Sequence, residues 1–391
     1  MFVLLLHNTA CPSQIQYEED GPAARVDFLR GQSIPTLDSE NLAVADLDGD
    51  GDMDIFVACG VWNAGRPNRV YFNQGDGIFV DSGQRMGNLN SFALALADLD
   101  DDGDIDAFVA NGAYSGGNPN KVWLNDGSGR FTDSGQNLGH NNTGAVALAD
   151  LDGDGDLDAF AGNHPVWENN HNVGGGHCIW FNDGRGRFTN SGQALGNAES
   201  RSVSLGDIDA DGDIDSLIGN YTNYGNKFWL NDGKGFFTDG SLSLGTIESR
   251  DAQLADLDGD GDLDAFVTHL SSQNSAACAN KVWFSQGDGT FLDSRQRLGT
   301  LPTTGVALGD LDLDGDLDAF VINSLYQQTR PDEVWLNDGK GYFTNANLNL
   351  GDEESVNIAL ADLDGDGDLD AAVVYPNAVQ IFTNIVIHNK D

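Results

Sequence analysis

Basic residues are scarce in this chain of 391 residues: 19 Lys and Arg stand against 62 Asp and Glu, a formal net charge of −43. Nucleic acid is thereby excluded as the expected partner, because phosphate binding needs a basic face. An anionic membrane surface is disfavoured on the same ground. Cysteines number four, Cys11, Cys59, Cys178 and Cys278, and their spacing matches no metal motif. They read as buried or free thiols, with a Cys11–Cys59 disulfide left open. No apolar run is long enough to span a bilayer, and no stretch carries the 3.6-residue period of an amphipathic helix. A G-x-S-x-G elbow, a P-loop and an H-E-x-x-H pair are also missing. What remains is a chain with 40% hydrophobic residues, enough for a sizeable core and too many for global disorder.

The acidic charge is gathered in periodic blocks. The run "DLDGDGDLD" at 150–158 has close copies beginning at Asp46, Asp98, Asp207, Asp256, Asp310 and Asp362. Their mean spacing, about 53 residues, is close to the length of a four-stranded propeller blade. Each copy follows a short alternating run such as "FALALAD" (92–98) and precedes a second apolar run such as "AFVAN" (107–111). After a variable polar loop come a third run, "KVWLN" (121–125), a turn "DGSG", and a fourth run, "RFTDSG" (130–135). Four short strands per repeat are expected, with Gly- and Asn-rich turns. Such a unit cannot bury both faces alone, whereas seven arranged radially cover one another. The expected fold is all-β: a seven-bladed β-propeller of four-stranded antiparallel blades. The last repeat lacks its fourth run, and "VDFLRGQSIP" (26–35) resembles it, with Phe28 and Gly31-Gln32 on the repeat's Phe and Gly-Gln. The N-terminal strand is therefore expected to close the last blade and remove an exposed edge. The propeller spans 26–385, between an N-terminal segment 1–25 and a tail 386–391. Segment 1–25 reads either as the remnant of a secretion signal or as an ordinary terminus.

Within each acidic motif, positions 1, 3, 5, 7 and 9 are Asp, position 6 is Gly, and positions 2 and 8 are apolar. The candidate metal residues are Asp46, Asp48, Asp50, Asp52 and Asp54; Asp98, Asp100, Asp102, Asp104 and Asp106; Asp150, Asp152, Asp154, Asp156 and Asp158; Asp207, Asp209, Asp211, Asp213 and Asp215; Asp256, Asp258, Asp260, Asp262 and Asp264; Asp310, Asp312, Asp314, Asp316 and Asp318; and Asp362, Asp364, Asp366, Asp368 and Asp370. Carboxylates converging without a cation repel and are driven to protonate. An oxygen-only set of this kind suits Ca²⁺, which takes six to eight oxygens, better than zinc, copper or Mg²⁺. Positions 1, 3, 5 and 9 are expected to offer side chains and position 7 its carbonyl, its own side chain facing solvent. Positions 2 and 8 are expected to anchor the loop beneath the sheet. Up to seven Ca²⁺ are expected.

The motif, followed by runs such as "VWLNDGKGYFT" (334–344), resembles the FG-GAP/VCBS repeat family and is similar to the seven-bladed propeller of integrin α chains. The resemblance implies calcium ligands at positions 1, 3, 5 and 9 of each loop. Clear G-A-P tripeptides are missing, which points to the prokaryotic type of repeat. Fold resemblance does not carry function with it.

Loops between second and third strands leave the face opposite the acidic motifs, and such loops carry recognition. They hold Trp62 and Arg66; Tyr114 and Asn118; His164, Trp167, Glu168 and His171; Tyr221 and Tyr224; and Tyr326 and Arg330. Rings beside Asn and His suit a sugar face, so a carbohydrate or glycoprotein is the expected partner of a secreted or cell-surface module. Trp62, Tyr114, His164, Trp167, Tyr221, Tyr224 and Tyr326 are the candidate ligand residues; the same side chains also suit loop packing. His164, Glu168, His171 and His177 form a further candidate metal group. Arg201 and Arg250, each in an "ESR" triplet, stand near the channel mouth as an anion site or as partners of their neighbouring Glu. A polysaccharide lyase using His164 and Arg201, and a structural part of a surface assembly, are the alternatives, and no catalytic set is legible.

Overall fold

The computed structural model describes residues 25–61, 64–113, 117–168, 171–173, 175–196, 199–221, 225–241, 244–245, 248–270, 279–325, 328–351 and 353–387. Every regular element among them is a β-strand. In the first repeat, Ser39–Ala45, Asp54–Val61, Arg69–Asn73 and Phe79–Asp81 pair antiparallel in that order, with Ala64–Gly65 beside Asp54–Val61. The acidic motif is the link between the first two strands, and its ninth residue opens the second.

The first strands of successive repeats touch one another, and Asn357–Ala361 of the last touches Ser39–Ala45 of the first, so the sheets stand radially around a closed axis. This is a β-propeller arrangement. The cores lie between repeats: Leu47, Phe56 and Val70 of the first pack with Leu94, Val109 and Phe131 of the second. Leu42, Ile55 and Val57 pack with Ala359, Leu363 and Val374 across the closure. Small residues such as Ala93, Ala95 and Ala97 fill the innermost strands, where converging backbones leave little room.

Among the described residues, five sheets follow a four-strand path, rather than the seven expected. Repeats two and three instead share one eight-stranded sheet. The 12-residue strand Leu138–Ala149 causes the merger. Its start pairs with Asn118–Leu124 through Leu138↔Asn120 and Asn141↔Asn118, and its end pairs with Asp158–His164. Elsewhere the corresponding contact is an isolated bridge, as at Asn68↔Met86 or Asn280↔Leu298.

The last sheet is completed by the N-terminus: Arg25–Pro35 pairs antiparallel with Ala378–Ile387, which runs two residues into the expected tail. Phe28 meets Phe320 edge-on at 5.3 Å, as Phe131 meets Phe56 and Phe188 meets Phe108. Such edge-to-face pairs add to plain burial. Gln32 donates to Phe79 O and accepts from Phe79 N–H, and Gln84, Gln136, Gln193 and Gln296 make the same clasp on Phe131, Phe188, Phe237 and Phe343, donating there to the preceding Gly129, Gly186, Gly235 and Gly341.

A second latch comes from an Asn at or near the end of the third strand. The Nδ2 groups of Asn73, Asn125, Asn182, Asn231, Asn337 and Asn384 donate at 2.8 Å to the second-position carbonyls of the preceding motif, at Leu363, Leu47, Leu99, Leu151, Leu257 and Leu311. Repeat five has Ser285 there, so its seam with repeat four lacks this bond among the described residues. Cys59 and Cys178 are free thiols; Cys11 and Cys278 lie outside the described residues.

A buried carboxyl interrupts the pattern in repeat six. Asn68, Asn120, Asn226 and Asn280 accept the backbone N–H groups of Cys59, Asn111, Asn220 and His269. In repeat six, Asp332 does this for Asn323 at 2.8 Å and takes the Ser355 hydroxyl on Oδ2 at 2.8 Å. Burial pushes its pKa up to about 8. A carboxyl raised above its unfolded value contributes stability that is full below pH ~4 and lost as pH rises through the folded value. Asp332→Asn keeps the shape and removes that loss. In excess calcium it is expected to raise the melting temperature at pH 9 and far less at pH 5, a difference of the order of a few kcal/mol. Equal shifts at both pH values would contradict this assignment.

Candidate metal centre

The third motif illustrates how a loop so rich in like charge is shaped. Gly153 N–H donates to Asp150 Oδ1 at 2.8 Å and Gly155 N–H to Asp150 Oδ2 at 3.1 Å. Asp156 N–H donates to Asp154 Oδ1 at 3.0 Å. Asp158 is fully buried, and its oxygens accept from Leu151 N–H at 3.1 Å and Asn182 N–H at 2.8 Å. The ninth residue thus ties the loop to the start of the motif and to the end of the third strand.

The turn needs left-handed backbone at two places. Position 6 has φ between 94° and 98° in all copies, with open space where a Cβ would stand, so backbone conformation selects glycine there. At position 4, Asp101, Ala210 and Leu313 adopt φ of 63°, 59° and 63° in place of glycine. Holding a side chain in that region costs about 1 kcal/mol or more, so the loop geometry is retained against local preference.

The carboxylates converge. Ligand oxygens of Asp46, Asp48 and Asp50 lie within 4.8 Å of one another, as do those of Asp98, Asp100 and Asp106, Asp150, Asp152 and Asp158, Asp207, Asp209 and Asp215, and Asp256, Asp258 and Asp260. Among the described residues, Oδ1 of Asp48, Asp100, Asp152, Asp209, Asp312 and Asp364 is buried with no hydrogen-bond partner. Burial, then the neighbouring Asp at position 5, raises the pKa of Asp48, Asp100 and Asp152. Burial pushes Asp158 up to about 7 against the two N–H groups that lower it, and Asp106, Asp318 and Asp370 likewise. Unpartnered buried carboxylate oxygens facing other carboxylates are expensive unless a cation joins them. The acidic clusters can therefore hold metal ions, and an all-oxygen set fits a hard divalent ion.

Two expectations need correction. Position 7 does not face open solvent. Asp156 is half-buried over the turn after the third strand, where a Cβ on Gly184 would come 2.7 Å from its Oδ1. The same holds for Asp104 over Gly127 and Asp316 over Gly339, because that turn folds back onto the acidic loop. Position 2 is buried in every copy, but position 8 is not an equal anchor: Met53 is 38% exposed. The Asn of the third strand, which holds position 2 of the preceding motif, was not singled out from the sequence. Its repetition in "LND" was the available signal.

On the opposite face, Trp62, Tyr114, Tyr224 and Tyr326 lie outside the described residues. Trp167 lies on the strand Val166–Glu168, hairpinned with His171–Val173. His164 is only 4% exposed, with Nδ1 3.7 Å from Glu199 Oε1. Arg201 reaches the same oxygen at 2.7 Å and lies over the Tyr221 ring at 4.9 Å. Of the four-residue metal group, His164 and His177 are buried, and the side chains of Glu168 and His171 lie outside the described residues. His177 is buried in the place other repeats give to Asn, its Nδ1 accepting from Asn163 N–H at 3.4 Å.

A cleft of about 450 Å³ lies between repeats one and two, bordering the turn at 128–131. Trp123, Phe72, Arg85, Gln84 and Ser128 line it. Arg85 is held by Asp81 through both oxygens, at 2.9 and 2.7 Å. An aromatic wall with amide, hydroxyl and guanidinium groups at its rim suits a polar, ring-shaped ligand.

The model of the FG-GAP-like repeat matches the chain five times, over residues 46–109, 98–161, 207–267, 256–321 and 310–373. No curated protein matches the chain. Among solved structures it is similar to an Agrocybe aegerita lectin described as specifically recognising non-reducing terminal N-acetylglucosamine. The two share 22% identity over 79% of this chain and 81% of that one, with a TM-score of 0.49. It is also similar to BBS1N, solved in complex with ARL6DN and soaked with mercury. There the identity is 8% over 93% of this chain and 98% of that one, with a TM-score of 0.62.

Proposed function

Because the chain belongs to the FG-GAP-like repeat family, we propose that it is a calcium-clamped propeller of seven repeats, working outside the cell as a recognition module for a carbohydrate or glycoprotein. The observation that carries the calcium reading is the row of unpartnered, buried third-position oxygens in repeat after repeat. Each faces other carboxylates, and a divalent ion supplies the missing partner. Positions 1, 3, 5 and 9 hold the ion, with the position 7 carbonyl completing the shell. Reading the eight-stranded sheet as two blades joined by one long strand brings the ring to seven. An extracellular location suits loops of this kind, since extracellular calcium sites work at millimolar ion concentrations.

Recognition draws its support from the cleft at Trp123 and from the aromatic and amide residues of the second-to-third loops. A glycan array probed with the full chain in calcium is expected to retain a defined set of glycans, with retention lost in chelator. Trp123→Ala is expected to weaken retention at least about fivefold, the scale of a lost ring contact. Binding to no glycan and no glycoprotein in calcium would sink the recognition reading while leaving the metal reading intact.

A further inference from the structure

The mouth of the ring away from the acidic loops carries charges of both signs, set by where the innermost strands begin. Glu40 is the second residue of Ser39–Ala45 and Arg201 the second of Ser200–Gly206. Arg250 precedes Ala252–Ala255 by two residues, and Glu354 precedes Asn357–Ala361 by three. Because the acidic motifs follow the other ends of these strands, all four residues lie at the opposite mouth.

The local pairing is uneven. Arg201 Nη2 donates to Glu199 Oε1 at 2.7 Å, while its buried Nε has no partner. Tyr221 N–H donates to Glu199 O at 2.9 Å, fixing the ring beneath Arg201. His164 Nδ1 is also without a hydrogen-bond partner, and burial, then Arg201, holds its pKa well below the usual range, leaving it neutral. Among the described residues, no hydrogen bond or ion pair engages the Arg250 guanidinium. Its neighbour Asp251 is turned into the next seam, accepting from Val306 N–H at 3.1 Å and Gln253 Nε2. Burial and Arg201 both work against the Arg250 charge, and Glu40 and Glu354 offset this only in part. Burial pushes Glu40 up to about 7, with Arg250 and then Arg201 opposing it. A half-buried guanidinium without a partner among the described residues is costly, and its planar fork matches a carboxylate bidentately.

The geometry points to a carboxylate-binding site at this mouth, built from the free fork of Arg250, the orphaned Nε of Arg201 and the Tyr221 ring. Glu199 stands beside it as a hydrogen-bonding partner for hydroxyls on the same ligand. The site does not depend on the cleft at Trp123 or on the calcium loops. The carboxylate could belong to an acidic sugar or to a free organic acid, and the sugar hydroxyls distinguish the two.

Calorimetric titration of the calcium-loaded full chain with digalacturonate, acetate and the neutral disaccharide digalactose tests this. Digalacturonate is expected to bind, digalactose to fail, and affinity to fall with ionic strength. Arg250→Gln is expected to weaken binding by about thirtyfold or more, with a melting temperature in the absence of ligand that does not fall, since an unpartnered charge is removed. Arg250→Lys should recover part of the affinity, which general destabilisation would not allow. Acetate binding as tightly as digalacturonate would support the carboxylate site and assign it to free organic acids. Wild-type affinity in Arg250→Gln, or no binding of either carboxylate, would overturn the site. Glycan retention at Trp123 would stand in either case.

Discussion

In excess chelator the melting temperature is expected to fall by about 10 °C or more relative to millimolar calcium, through mass action on the native state. An ion that binds only the folded chain stabilises it by about 2.7 kcal/mol per site at one hundred times its dissociation constant. Two or three such sites already match the typical net stability of a domain, about 5–15 kcal/mol. The structural reason is local. Oδ1 of Asp48, Asp100, Asp152, Asp209, Asp312 and Asp364 is desolvated without a partner, so the ion-free loops hold charge in an unfavourable place. Differential scanning calorimetry with and without chelator measures the shift, and elemental analysis of the calcium-replete protein counts the ions. A transition that does not move in chelator would remove the calcium reading.

The second large effect is expected at the ninth position. Asp158→Ala removes the acceptor for Leu151 N–H and Asn182 N–H in a fully buried place. Each unpaired buried donor costs about 1–3 kcal/mol, so a loss of about 3–5 kcal/mol is expected even before any ion is considered. Asp156→Ala truncates a side chain that only lies over Gly184, and its effect should stay within about 1 kcal/mol. Asp158→Asn separates the two roles of the residue. It retains an acceptor for one N–H but removes the negative charge offered to an ion, so its deficit should be larger in calcium than in chelator. Denaturant melts of the three variants in both conditions decide the matter. Equal losses for Asp156→Ala and Asp158→Ala would show that the loop is not clamped as described.

Much of this architecture could be read from the chain. The Asp periodicity located each first-to-second strand link, because only a tight loop can bring residues 1, 3 and 5 together. Phe28 and Gln32 could be placed from their likeness to Phe131 and Gln136, and the Phe28–Phe320 contact and the Gln32 clasp follow that alignment. The position 7 side chain was less legible. Whether Asp156 meets solvent depends on a turn 28 residues later in the chain folding back over it, and nothing at 150–158 encodes that. The Asn latch was hidden for the same reason. Asn182 reads as an ordinary turn residue, and its partner, the Leu99 carbonyl, belongs to another repeat 83 residues away.

The sequence alone determined the repeat, its strand content and the acidic loops, since alternation, turn residues and motif spacing act over a few residues. The tertiary structure decided which oxygens are left unpartnered, where the strands of repeats two and three merge, and why, among the described residues, Arg201 is paired while Arg250 is not. Those outcomes depend on burial and on neighbours from other repeats, and burial sets the cost of a charge or an unmade hydrogen bond. Two identical "ESR" triplets therefore carry different chemistry, because the arginine of one reaches Glu199 and lies over Tyr221, while no hydrogen bond or ion pair among the described residues engages that of the other.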